Sequence, residues 1–220
     1  MAGELQSRRA NATAKLAVMR HSTVIFDLGG VLIDWNPRYL YRKRFAGDEA
    51  AMEHFLTHVC TPEWNVQQDA GRSFAEAFAV LSTAHPTQRA HIEAWLSGFD
   101  DMMSGPISGT VEILAELRQR GTPLYALSNW SAETFPYAQR RFEFLGWFRD
   151  IAISGALKLS KPDPRFYQHL LNKHGLSAEH TIFIDDAPHN IAAASALSLH
   201  ALHFTTPEVL RRDLVALGML

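Results

Sequence analysis

The sequence predicts an α/β fold: a parallel sheet covered by helices on both faces and interrupted by a helical insertion. Three observations carry this. Short apolar, β-branched segments recur, and each runs into polar residues. Amphipathic helical patterns alternate with them, as parallel strands require. A stretch from about residue 37 to 103 has helical periodicity and no convincing strand. At 220 residues the chain has room for one large domain, or for a core domain and a small one.

The first twenty residues are polar, alanine-rich and slightly basic. They lack the continuous apolar stretch of a signal peptide, so a flexible tail over residues 1–21 is expected. Met19, just before the first strand pattern, is a second candidate translation start. The first strand is Thr23-Val24-Ile25-Phe26, ended by Asp27-Leu28-Gly29-Gly30. Asn36-Pro37 then opens the insertion. Met52, Phe55, Leu56 and Val59 share one helical face, as do Phe74, Ala77, Phe78 and Leu81, and again Ile92, Trp95, Leu96 and Phe99. With a short helix around Tyr39 to Phe45, these predict a four-helix cap over residues 37–103, with Gly105-Pro106 as the second joint.

The core then resumes, so that residues 22–36 and 104–220 form one α/β unit. Val111, Leu114, Leu117 and Arg118 predict a helix closed by Gly121. Leu124–Leu127 is a strand leading into Ser128-Asn129. Asp163-Pro164 reads as an N-cap with proline at the first helical position, and Gly175 closes that helix. Thr181–Ile184 is a strand leading into Asp185-Asp186. Weaker strand patterns lie at Ile151–Ile153 and Ala201–Phe204.

Composition narrows the function. A formal net charge of -2 gives no basic surface for nucleic acid or an anionic membrane. No apolar run approaches the length of a membrane span. The single cysteine, Cys60, excludes an internal disulfide and a cysteine-based zinc site, which suits a reducing cytoplasm. Oligomeric state has no signal here.

The chemistry gathers at strand ends. In open parallel sheets, ligands bind beyond the carboxyl ends of the strands, where Asp27, Ser128, Asn129, Asp185 and Asp186 would converge. Carboxylates gathered this way repel, and a hard cation such as Mg2+ holds them together through oxygen ligands.

Four segments in order resemble the motifs of the haloacid dehalogenase-like (HAD) superfamily, in particular its capped phosphatases. They are Phe26 to Asp34, Leu127-Ser128-Asn129, Lys161 within Ser160-Lys161-Pro162-Asp163-Pro164, and Asp185-Asp186 followed by Asn190. Any one alone reads as a turn or a surface loop; the ordered set of four is specific. The resemblance implies a Rossmann-like core, an inserted helical cap and an aspartyl-phosphate intermediate. It makes Asp27 the nucleophile and assigns Ser128, Asn129 and Lys161 to the phosphate. It gives Mg2+ to Asp27, the Gly29 carbonyl and Asp186, with Asp185 and Asn190 in support. The implied partner is a small phosphorylated metabolite.

Gly29 departs from the pattern. The family's phosphatases usually carry a second aspartate there, which protonates the leaving group. Its loss predicts a rate that depends steeply on leaving-group pKa, unless a cap residue or a water substitutes. Relatives with this glycine include sugar-1-phosphate phosphatases. Two other functions are compatible with parts of the pattern. A 2-haloacid dehalogenase would share the nucleophile but has no cation for the paired acids to hold. A binding or regulatory module whose catalysis lapsed with the missing aspartate would explain Gly29 alone.

Overall fold

The computed structural model describes residues 21–220, and residues 1–20 of the predicted tail, with the Met19 start, lie outside that range. Five strands form one parallel sheet: β1 (Thr23–Phe26), β4 (Leu124–Ser128), β5 (Asp150–Ile153), β6 (Thr181–Asp185) and β7 (His200–His203). Their spatial order is β5-β4-β1-β6-β7. β1 is central and pairs with β4 on one side and β6 on the other. The chain therefore reverses its direction of winding at β1, which opens the crevice above it.

Alternation along the strands sends side chains to opposite faces. Val24 and Phe26 enter one core with Ile182 and Ile184, while Ile25 enters the other with Tyr125, Leu127 and Phe183. The first face is covered by α6 (Ser108–Gln119) and α11 (Pro207–Ala216), through Ile113, Leu114, Leu117, Leu210 and Leu214. The second is covered by α9 (Pro164–His174), through Phe166, Tyr167 and Leu170, and by α10 (Pro188–Ala196). Between β4 and α9 lie α7 (Phe135–Arg141) and the one-turn α8 (Ser154–Leu157). The predicted caps are present: Asp163 accepts from the Arg165 amide, Pro164 is first in α9, and Gly175 closes it at φ 61°. Arg118 is not in the buried stripe of α6; its guanidinium lies 5.2 Å from the centre of the Trp147 ring.

Between β1 and β4 the chain leaves and re-enters through a two-stranded antiparallel ribbon of β2 (Ile33–Trp35) and β3 (Met103–Pro106). Gly105 and Pro106, expected as the second joint, are paired in a strand there; an edge strand tolerates proline because its lost donor is not needed. Asp34 in β2 accepts from the Tyr39 hydroxyl, tying the ribbon to the first insertion helix.

The insertion holds five helices where four were expected: α1 (Pro37–Arg44), α2 (Glu49–His58), α3 (Pro62–Asp69), α4 (Phe74–Ala84) and α5 (Arg89–Ser97). The additional one is α3. It buries only Trp64 and Gln68, so it has no apolar stripe to read. Its start is nevertheless encoded: Thr61 accepts from the Trp64 amide, and Pro62 is the first helical residue. Met52, Phe55, Phe74, Ile92 and Trp95 form the interior of the insertion.

Candidate active site

β1, β4 and β6 end side by side, and their last residues bring the predicted groups together. Asp27 follows β1, Ser128 ends β4 and Asp185 ends β6. Lys161 arrives from the loop before α9 and joins two of them. Its Nζ is 2.9 Å from Asp27 Oδ1 and 2.7 Å from Asp185 Oδ2. The side chains of Lys161 and Asp185 are 1% and 0% exposed, while that of Asp27 keeps 12%, enough for contact with a small ligand.

Each acid is oriented. The Leu28 amide donates to Asp27 Oδ1 at 2.7 Å. The Ala187 amide donates to Asp185 Oδ1 at 2.8 Å, and Asn190 Nδ2 donates to both Asp185 oxygens. Asn190 therefore holds Asp185 in place. Asp186 is exposed, and one oxygen of each of Asp27, Asp185 and Asp186 lies within 4.8 Å of the others.

The electrostatics follow from this crowding. Burial pushes the Asp27 carboxyl up to about 6; Lys161 opposes that, and Asp185 adds to it. Burial works against the Lys161 charge, but Asp27 and Asp185 outweigh it and hold the ammonium above its ordinary range. Asp186, exposed as a residue but with its carboxyl partly withdrawn from water, is raised by that partial desolvation and by Asp185. Three carboxylates against one ammonium leave two negative charges uncompensated when all are ionised. One divalent cation matches that deficit, and an all-oxygen donor set suits a hard ion.

Two glycines shape the turn above β1. The Ile33 amide donates to the Leu28 carbonyl, and the Gly30 amide donates to the Ile33 carbonyl; these bonds close the turn without the Gly29 carbonyl. Gly30 has φ +74°, and a Cβ there would meet Asp186 Oδ2 at 2.5 Å. Gly30→Ala is expected to cost about 1–2 kcal/mol from the left-handed backbone alone, measurable by denaturant unfolding, and to displace Asp186. Gly29 is different. A Cβ there would meet nothing within 4 Å, and its φ is not positive. The position accepts a side chain; it simply lacks one.

Asn129 bonds reciprocally to the backbone of Lys161. Its Nδ2 donates to the Lys161 carbonyl at 2.9 Å and its Oδ1 accepts from the Lys161 amide at 2.8 Å. The amide side chain locks the lysine loop to the end of β4. Ser128 is buried at that strand end beside it.

Where the Gly29 turn adjoins Asn129 there is a cavity of about 70 Å³, lined by these two and Trp130 of the core and by Trp35, Asn65, Asp69 and Phe99. Trp35, Trp130 and Phe99 pack in the core and also wall the cavity. Asn65 and Asp69 were missed because they ride on the unforeseen α3. The insertion is docked at this point. Ser154 Oγ donates to the Asp69 carbonyl, and Glu133 accepts from the Phe74 amide at 2.9 Å. Among the described residues, no helix is long and apolar enough to cross a membrane.

An acid-rich site at the carboxyl end of a parallel sheet marks an α/β enzyme. More narrowly, a family model for haloacid dehalogenase-like hydrolases matches residues 21–197, and the chain belongs to that family. A sesquiterpene phosphatase from Aspergillus oryzae is 26% identical over 181 residues, covering 82% of this chain and 88% of the relative. A phosphoglycolate phosphatase from Photobacterium profundum is 27% identical over 188 residues, covering 83% and 82%. Among solved structures, a HAD family enzyme from Bacteroides thetaiotaomicron superposes with a TM-score of 0.68 at 22% identity, covering 84% of this chain and 94% of its own. At that identity the likeness speaks for the fold.

Proposed function

We propose that the protein is a magnesium-dependent phosphatase that hydrolyses a small phosphate monoester through an aspartyl-phosphate, with Asp27 as the nucleophile. The observation that carries this reading is the convergence of Asp27, Asp185 and Asp186 on one point, with Lys161 beside it. Asp27, Asp186 and the Gly29 carbonyl would hold the ion, with Asp185 and Asn190 behind them. When bound, Mg2+ supplies charge stabilisation for the transferring phosphoryl group.

The chain's own groups divide the rest. An Asp27 oxygen attacks phosphorus, replacing one hard displacement by two easier ones. The buried Lys161 ammonium stabilises negative charge at the nucleophile and the phosphoryl oxygens. Ser128 donates to those oxygens, and Asn129 keeps Lys161 in register. The insertion acts as a cap over residues 37–103 that closes on the substrate and excludes water. A sugar phosphate is our preferred substrate class, and the cap would close over it.

The family takes its name from carbon–halogen hydrolysis, so membership does not choose between the chemistries. The acid triad does, because a metal-free dehalogenase gives the paired acids nothing to hold. The relatives described as phosphatases point the same way. A lapsed binding module is disfavoured by the intact Asp27–Lys161–Asp185 arrangement.

The test is turnover of p-nitrophenyl phosphate and a panel of metabolite phosphates, with a fluorinated acid as the dehalogenase control. Phosphate release that requires Mg2+ and stops with chelator is expected. Defluorination, or phosphate release indifferent to chelator, would sink the assignment.

A further inference from the structure

We propose that Asp69, from the insertion, is the general acid and base of this site, standing in for the carboxyl that Gly29 lacks. This rests on the phosphatase reading above and deepens it.

Position is the first argument. Asp69 and Gly29 line the same cavity, together with Asn129 and Trp130. The space over Gly29 is open, so a carboxyl that does not come from position 29 can be brought to it from across the cavity. Asp69 is also anchored to the core loop that begins at Ser128. Ser154 Oγ donates to the Asp69 carbonyl and accepts from the Trp130 amide at 2.9 Å. The Ser131 amide favours the charged form of the Asp69 carboxyl. Asn65 Nδ2, one helical turn earlier, donates to Asp69 Oδ2 at 2.9 Å and fixes its direction.

The second argument is energetic. Asp69 is the last residue of α3, and no basic residue occupies that last turn. A carboxylate at a helix C-terminus faces the negative end of the dipole and costs stability. Helix formation gives no reason for an acid there; proton transfer at the cavity does. Burial adds to this by raising the carboxyl to about 7, against the Ser131 amide, which favours the charged form. A group that carries its proton part of the time near neutrality is suited to both halves of the reaction.

The steps balance. In the first, an Asp27 oxygen bonds to phosphorus and the ester P–O bond breaks, its electron pair staying on the leaving oxygen. That oxygen takes the Asp69 proton and departs as the alcohol. In the second, a water oxygen bonds to phosphorus while Asp69 takes a proton from it. The P–O bond to Asp27 breaks, restoring the Asp27 carboxylate, the protonated Asp69 and free phosphate.

The experiment uses the full-length, magnesium-loaded protein and its Asp69→Asn variant, which keeps size and hydrogen-bonding capacity. Single-turnover phosphorylation is measured across phenyl phosphates whose leaving-group pKa is varied at similar size. The parent should show a shallow dependence. Asp69→Asn should be slowed modestly with p-nitrophenyl phosphate and by about 10²–10⁴-fold with the poorest leaving groups, the range of general acid catalysis. It should also release nitrophenol in a burst equal to the enzyme concentration, since hydrolysis of the aspartyl-phosphate has lost its base. Gly29→Asp added to Asp69→Asn should restore the poor substrates. An equal loss on every substrate without a burst, in a variant with an unchanged melting temperature, would overturn the assignment while leaving the phosphatase reading intact. So would no loss at all. A parent inactive on all phosphates would overturn both.

Discussion

Asp27→Asn is expected to abolish turnover, by at least about 10⁴-fold, while the protein remains folded. Removal of a nucleophile commonly costs that much or more, and what survives comes from binding and electrostatics alone. The structure explains why the fold should tolerate the change. The substituted amide keeps an oxygen to accept from the Leu28 N–H, and Lys161 keeps its partner Asp185. Charge at position 27 also works against the folded state. Its carboxyl is raised to about 6 by burial, so without metal the native state binds the proton more tightly than the unfolded chain. The corresponding stability is present below about pH 4 and is lost as pH rises through 6. Asp27→Asn removes that loss. Metal-free Asp27→Asn should therefore be at least as stable as metal-free parent above pH 6, by urea unfolding with chelator present. Near-parental phosphatase activity in the folded variant would refute a covalent mechanism through Asp27.

Much of this site was legible because its parts end apolar strands. Val24-Ile25-Phe26 and Ile182-Phe183-Ile184 are buried on both faces and could hardly be anything but central strands. The acids that follow them had to lie at one edge of the sheet. Lys161 was visible only through its motif, because nothing local forces a loop lysine to be buried; Asp27 and Asp185 do that across the fold. The reciprocal bonds between Asn129 and the Lys161 backbone span 32 positions and left no trace in spacing. The ribbon of β2 and β3 was equally hidden, since three- and four-residue strands containing Gly105 and Pro106 resemble a turn. The most consequential omission was α3. A helix touching the interior mainly through Trp64 and Gln68 has no periodic apolar stripe, although Thr61-Pro62 announced its start. With it went Asn65 and Asp69, and so the cap's contribution to the cavity. The missing carboxyl at Gly29 was readable; the residue placed to replace it was not.

Asp186→Ala should separate the metal from the rest of the machinery. Asp186 is the exposed member of the triad, whereas Asp185 is buried and bonded to Lys161, Asn190 and the Ala187 amide. Truncating Asp185 would leave a buried lysine short of a partner and confuse binding with folding. Truncating Asp186 removes an oxygen donor and a like charge that Asp185 already destabilises. Stability without metal should therefore hold or rise slightly. The loss belongs to the cation. Outer-shell changes alone commonly cost about 10–100-fold in metal affinity, so loss of a direct ligand should raise the half-saturating Mg2+ concentration by about 10²-fold or more. At fixed low Mg2+, activity should collapse; at high Mg2+, part of it should return, since Asp27 and the Gly29 carbonyl remain. Calorimetric titration of Mg2+ into both proteins reads the same quantity without catalysis. An Asp186→Ala variant whose activity and Mg2+ affinity both match the parent would remove Asp186 from the metal site. The cation would then have to be assigned to Asp27 and Asp185 alone, with Lys161 displaced from between them.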